Sequence, residues 1–282
     1  MVYSAKAYAK INLYLNVLGK RDDGYHEIDT LMQSVSLYDD VLVELTDKGV
    51  SVECDRNDLS SEENIAALAA KKFLDFANLD IGVKIKIVKR IPVAAGMGGG
   101  SADAAATLLL LNKATGKNYP LSKLLPLAKS IGADVPFFLV GGAARAQGIG
   151  EVLTKVKNAR LYMVLLKEGE KQSTGKMYSF IDNTSIKESG NINDLINALG
   201  ENNLDGVCDN IFNSFSFCWD FSNMTSRFLP YSPNAVFLSG SGPTVGALFE
   251  TKRKAQECAK ALLNQGFNAF YAETVEKGIE FV

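Results

Sequence analysis

Pro92-Val93-Ala94-Ala95-Gly96-Met97-Gly98-Gly99-Gly100-Ser101-Ala102-Asp103 decides how this chain is read. The stretch leaves a β-strand expected over residues 82–91 and runs straight into Ala102 to Ala114, which is rich in strong helix formers. Gly96, Gly98, Gly99 and Gly100 can take positive φ without a Cβ clash, so consecutive backbone N–H groups can turn inward on one anion. Ser101 is placed to cap the helix and Gly116 to stop it. The positive end of the helix dipole then points back at the loop, where a polyphosphate would sit. A bare turn is the alternative, but each glycine weakens folding by roughly 0.5–1 kcal/mol relative to alanine, a heavy load without a ligand.

Two common nucleotide motifs do not fit. A P-loop needs a lysine after its glycines, and the dinucleotide fingerprint wants glycine or alanine where Ser101 stands. Composition narrows the partners instead. The 282 residues, 47% hydrophobic, suit two globular domains, and a net charge of −2 without a basic tract argues against nucleic acid and for a small-molecule substrate. No eighteen-residue apolar run and no signal-peptide core are found, so a cytoplasmic protein with no membrane role is expected, monomer or homodimer. Cys54, Cys208, Cys218 and Cys258 lack metal or disulfide spacing, and the single histidine, His26, excludes any two-histidine zinc site.

Upstream, Ala5 to Val17 alternates with period two and predicts a half-buried strand, its polar face carrying Lys10 and Asn12. These lie about 7 Å apart along a strand. They suit a grip on one phosphate or hydroxyl; a solvated edge face is the alternative. His26 follows an Asp22-Asp23-Gly24 turn and Tyr25, which predicts a loop position that burial does not explain. One or two strands are expected over Asp40–Glu53, and a helix over Glu62–Ala77 has Asn64 near its start. A helix over Leu121–Ser130 stops at Gly132, and Asp134 then precedes a strongly apolar run. That carboxylate is either a turn or cap residue or a tuned catalytic group.

Charge density rises at residues 155–160, which divides the chain into 1–158 and 159–282. Beyond it, Tyr178 is open to a core or a ligand role. Residues 183–230 are rich in Asn and Ser; the glycosylation patterns at Asn183–Ser185 and Asn223–Thr225 have no use in a cytoplasmic chain. Ala235 to Phe249 reads as strand, Gly-Ser-Gly-Pro turn and strand. Helices and strands mix without strict βαβ alternation, so the expected fold is α+β, two domains with a cleft between them.

Taken whole, the glycine loop resembles the Pro-x-x-x-Gly-Leu-Gly-Gly-Gly-Ser-x-Asp-Ala-Ala signature of the galactokinase, homoserine kinase, mevalonate kinase and phosphomevalonate kinase (GHMP kinase) superfamily, with Met97 for leucine. The resemblance implies that residues 92–102 wrap ATP phosphates, with Ser101 near Mg2+ and Asn64 near the adenosine. Ala9-Lys10-Ile11-Asn12-Leu13 resembles the superfamily's first motif, and residues 239–244 its third, which brings Gly240, Ser241, Gly242 and Thr244 to the substrate or transferred phosphate. Gly24-Tyr25-His26 with residues 32–40 is similar to the 4-diphosphocytidyl-2-C-methyl-D-erythritol kinase family. That likeness implies a kinase of non-mevalonate isoprenoid biosynthesis that phosphorylates the substrate's 2-hydroxyl. Asp134, in a Gly-x-Asp-Val-Pro-Phe-Phe context, would be catalytic with Lys10. Tyr25 and His26 would contact the cytosine, and Tyr178 would stack on it from the opposite side. Ile149 stands where the family often has an arginine, and residues 183–230 match only thinly. Another small-molecule GHMP kinase, or a catalytically dead regulator on this fold, is the rival; retention of both Lys10 and Asp134 speaks against the second.

Overall fold

β1 (Val2–Lys20) and β2 (His26–Thr46) form a long antiparallel ribbon on which the rest of the computed structural model is assembled. The structure describes residues 1–61, 63–170, 173–184, 186, 189–218 and 220–282, without the Asn57 side chain. Glu62, Gln172 and Ser185, which entered the sequence readings of a helix start, a Ser-Thr segment and a glycosylation pattern, lie outside the described residues. The ribbon turns at Gly24, φ +85°, where Asp23 Oδ1 accepts the Tyr25 N–H at 3.1 Å. An aspartate and a glycine supply this chemistry because one closes a local turn and the other tolerates the left-handed region.

The first sheet runs β12-β1-β2-β4-β3, with β3 (Val50–Cys54), β4 (Gly82–Val88) and β12 (Ile279–Phe281). Near its start β2 pairs instead with β5 (Ala143–Gly148), which pairs with β6 (Val152–Val156). A second, antiparallel sheet has the order β11-β7-β10-β9, from β7 (Tyr162–Lys167), β9 (Ala235–Leu238), β10 (Thr244–Phe249) and β11 (Ala269–Glu273). Two segments of the second half return to the first sheet: β12, and β8 (Phe212–Asn213), which lies parallel to β1 at Tyr14 and Leu15. The architecture is α+β, as expected.

β1 is not half-buried. Every residue from Ala7 to Leu15 is buried, the polar positions included. The odd positions feed successive cores: Ala5 and Ala7 pack under the helices, while Ala9, Ile11 and Leu13 pack with Met163 and Leu165 of β7. At Lys10 the even face meets the glycine loop rather than solvent: its N–H donates to the Met97 carbonyl at 3.0 Å, and its side chain lies against Gly98. A register shift between Asn12 and Tyr14 turns Tyr14 into the same core as Leu13.

The helices α1 (Ile65–Ala77), α2 (Gly99–Ala114), α3 (Leu121–Ile131) and α4 (Val135–Val140) pack on the first sheet, and α5 (Thr174–Asp182) lies in the second half. Ser101 is not the cap of α2. Gly98 occupies that position at φ +71°, and Ser101 is the third helical residue. Gly99 and Gly100 are therefore helical, and the positive-φ positions of the loop are Ala94 (+53°), Gly96 (+75°) and Gly98. With no side chain capping it, α2 leaves the Gly99, Gly100 and Ser101 N–H groups without an acceptor among the described residues. Four of its five alanines, Ala102, Ala104, Ala105 and Ala106, are fully buried, and their small side chains let the helix thread the core.

Candidate active site

The glycine loop is held from three sides. Lys10 bonds it to β1, as above. A Cβ on Gly98 would come within 2.6 Å of the Phe138 ring on α4 and 3.1 Å of Lys10 Cγ, so only glycine fits. A Cβ on Gly96 would meet the Ser239 carbonyl oxygen at 2.4 Å, and Ser239 Oγ donates to the Gly96 carbonyl at 3.2 Å. The loop is thus pressed against the Ser239–Gly242 turn, whose Gly240 takes φ +55°. Asn213 secures that turn by donating from Nδ2 to the Leu238 and Gly240 carbonyls at 2.9 and 2.8 Å.

Behind the loop lies a buried ionic clamp. Lys89 Nζ contacts Asp39 Oδ2 at 2.5 Å and Asp103 Oδ2 at 2.8 Å, and Asp39 Oδ1 also accepts the Arg90 and Ile91 N–H groups at 2.6 and 2.8 Å. The clamp ties β2, the entry to the loop and the first turns of α2 together. Burial favours the neutral lysine, but the charges of Asp103 and Asp39 outweigh it and leave the Lys89 pKa raised. Burial pushes the Asp103 carboxyl up to about 8, against the pull of Lys89, and Asp103 Oδ1 has no partner.

In front of the loop, Lys10 Nζ lies 3.7 Å from Asp134 Oδ2 and donates to Asn12 Oδ1 at 2.6 Å. Asn12 Nδ2 donates to Thr30 Oγ1 at 2.8 Å, and Thr30 donates to the Tyr14 carbonyl at 2.5 Å. This chain fixes the orientation of the Asn12 amide and holds the ammonium in place. Asp134 stands at the N-cap of α4 but makes no capping bond, and its side chain is 36% exposed. The backbone position is that of a cap, while the carboxylate turns to Lys10. Facing a buried ammonium, it can accept a proton while the lysine stabilises negative charge developing beside it.

Both sets of groups line one cavity of about 640 Å³. It collects Lys10, Asn12, Asn64, Asp134, Tyr178, Gly240 and Ser241, together with Pro92–Gly96 and Gly98–Ser101 from the loop. Asn64 also caps α1, its Oδ1 accepting the Ala66 N–H at 2.9 Å. Other expected residues stand outside it. Met97 and Ala102 are buried against the core, Gly242 and Thr244 shape the turn behind the cavity, and Tyr25 is 60% exposed on the ribbon turn. His26 is not on a loop. It opens β2, with its side chain only 9% exposed and its ring stacked on Tyr178 at 4.2 Å between centroids and 15° between planes. That spacing leaves no room for a base between them, so Tyr178 meets His26 rather than a ligand on this face. Burial, then the charge of Asp134, raises the Tyr178 pKa.

Sequence reasoning missed Thr30, Lys89, Thr174 and Phe215, which also line the cavity, and Asp182, which bonds His26. Thr30 and Lys89 carry no motif of their own; Phe215 comes from the thinly matching region.

The description "GHMP kinases N terminal domain" matches residues 64–142 and "GHMP kinases C terminal" matches 229–269. A 4-diphosphocytidyl-2-C-methyl-D-erythritol kinase of Acetivibrio thermocellus is 37% identical over 279 residues, 96% of this chain and 99% of the relative. The chain belongs to that kinase family. A 4-diphosphocytidyl-2-C-methyl-D-erythritol kinase of Clostridium botulinum is likewise 37% identical over 278 residues, with 96% and 99% coverage. Among solved structures, a 4-(cytidine 5'-diphospho)-2C-methyl-D-erythritol kinase superposes with a TM-score of 0.83 at 32% identity, covering 96% of this chain and 98% of the other. The homoserine kinase of Cytophaga hutchinsonii, at TM-score 0.78 and 20% identity, covers 100% and 97% and shows the shared fold. Membership in this GHMP kinase family implies use of ATP. Among the described residues no helix is long and apolar enough to cross a membrane.

Proposed function

We propose that this kinase transfers the γ-phosphoryl group of ATP to the 2-hydroxyl of 4-diphosphocytidyl-2-C-methyl-D-erythritol, giving its 2-phosphate in non-mevalonate isoprenoid biosynthesis. The observation that carries the reading is one cavity holding both the open N-terminus of α2 and the Lys10–Asp134 pair. The three free N–H groups and the helix dipole suit a triphosphate, and the loop lies too close to its neighbours for any larger residue at Gly98. No group of three metal-ligating side chains occurs among the described residues, which fits Mg2+ held mainly by phosphate oxygens and water, with Ser101 as its protein contact. Bound there, the ion would neutralise charge on the transferring phosphoryl group.

Asp134 accepts or orients the hydroxyl proton, and Lys10, fixed by Asn12 and Thr30, offers its remaining donors to the alkoxide or phosphoryl oxygens. The Gly240–Ser241 turn contributes backbone N–H groups at the same end of the cavity. His26, backed by the stacked Tyr178 ring, recognises the cytosine, with Tyr25 on the adjoining turn. We assign residues 1–158 to the nucleotide and catalytic unit and 159–282 to the unit that completes the substrate side, acting in the cytoplasm. A coupled ATP assay tests the reading. Turnover is expected with the cytidine diphosphate substrate and not with homoserine or mevalonate; the opposite preference would transfer the chain to another branch of the superfamily.

A further inference from the structure

Asp182 closes α5, and its Oδ1 lies 2.8 Å from His26 Nε2. Tyr178 sits four residues earlier on the same helix, so one face of α5 presents both the ring that stacks on His26 and the carboxylate that bonds it. We propose that Asp182 sets the base preference of this kinase by holding His26 as its Nε2–H tautomer, leaving Nδ1 as an acceptor toward the exocyclic amino group of cytosine. The inference rests on the reading above that His26 recognises the nucleobase.

An ionised carboxylate only accepts hydrogen bonds, so the nitrogen facing Asp182 must carry the proton. A neutral imidazole has one N–H, which leaves Nδ1 with a free lone pair. Nδ1 has no hydrogen-bond partner among the described residues. Ring reversal would remove the Asp182 bond, and the near-parallel stack on Tyr178 in an almost fully enclosed site holds the ring plane. Since the stack excludes a base from between the two rings, a base meets His26 at its edge. Cytosine offers an amino donor there, whereas uracil offers a carbonyl oxygen that would set lone pair against lone pair. Asp182 is thus a positioning residue that acts through His26.

The chain contains one histidine, so an 15N-labelled sample gives a single, unambiguous imidazole. Long-range 15N–1H correlation of the wild-type protein should show a pyrrole-type Nε2 and a pyridine-type Nδ1. Asp182→Asn, which keeps the shape but can donate as well as accept, should yield a tautomer mixture. In the same variant the preference for the cytidine over the uridine form of the substrate, read as kcat/KM, should fall about tenfold, the scale of one hydrogen bond. The change should lie in the KM of the cytidine substrate, with the KM for ATP unmoved. Asp182→Ala repeats the test without the amide, and its melting temperature reports whether it folds. A wild-type ring protonated at Nδ1, or an Asp182→Asn protein that keeps both tautomer and preference, overturns the lock. A wild-type enzyme equally efficient on both bases instead overturns the reading of base recognition, whatever the tautomer.

Discussion

Lys10 and Asp134 are 3.7 Å apart yet differ in setting, the lysine sealed among Asn12 and the loop, the aspartate partly open to the cavity. The difference suits one fixed charge and one group that meets a substrate. Lys10→Ala and Asp134→Asn are each expected to lower kcat by ~10² to 10⁴ while ATP still binds, as steady-state rates and calorimetry would show. Wild-type turnover in either variant would remove that residue from the chemistry. Gly98 sets a second residue-scale test. Alanine there would need φ +71° and would drive Cβ into the Phe138 ring, so the loop must shift. Gly98→Ala should raise the Kd for ATP on the order of tenfold, with acceptor binding less affected; equal affinity in a folded variant would contradict the cradle. At Gly99, which is helical, a larger side chain instead meets Ile91 and Lys89 at 3.0–3.2 Å.

At the scale of elements, the position of α2 depends on the Lys89 clamp more than on helix propensity. Two buried carboxylates share one ammonium, so removing the lysine leaves them without a counter-charge. Lys89→Met is expected to destabilise the protein by about 3–5 kcal/mol, the usual cost of breaking a buried pair. Asp103→Asn should cost distinctly less, because burial already disfavours that charge. Urea unfolding of the two variants compares them; a larger loss for Asp103→Asn would reverse this account. The same clamp explains a motif position that the phosphate reading leaves without a role: the aspartate after Ser-Ala anchors the helix from behind.

For the whole molecule, the return of the chain to its first sheet joins the two halves. Tyr8 donates its N–H to the Gly278 carbonyl at 2.9 Å, just before β12 pairs with β1. A Cβ on Gly278 would fall 2.1 Å from the Phe138 carbonyl oxygen, and one on Gly141 would fall 2.1 Å from the Gly278 nitrogen. These are backbone atoms and no side-chain rotation relieves them. Gly278→Ala should therefore cost about 1–3 kcal/mol, the range for overpacking, and loosen the strand that carries Lys10. A melting temperature equal to wild type would show that this closure contributes nothing.

The sequence by itself determined the α+β class, the glycine-rich loop leading into α2, the period-two strand bearing Lys10 and Asn12, and the place of Asp134 ahead of an apolar run, since each is written in local spacing and conformational preference. Ser101 as a cap and β1 as a half-buried strand were local inferences that distant packing reversed: the glycine loop covers the polar face of β1 at Lys10, and Gly98 reaches the left-handed region that starts the helix. Only the tertiary structure brought Lys89 to Asp39 and Asp103, Thr30 to Asn12, and Asp182 to His26, across separations of 14 to 156 residues. No local pattern encodes such pairings, because they follow from which elements the sheets and cores bring together.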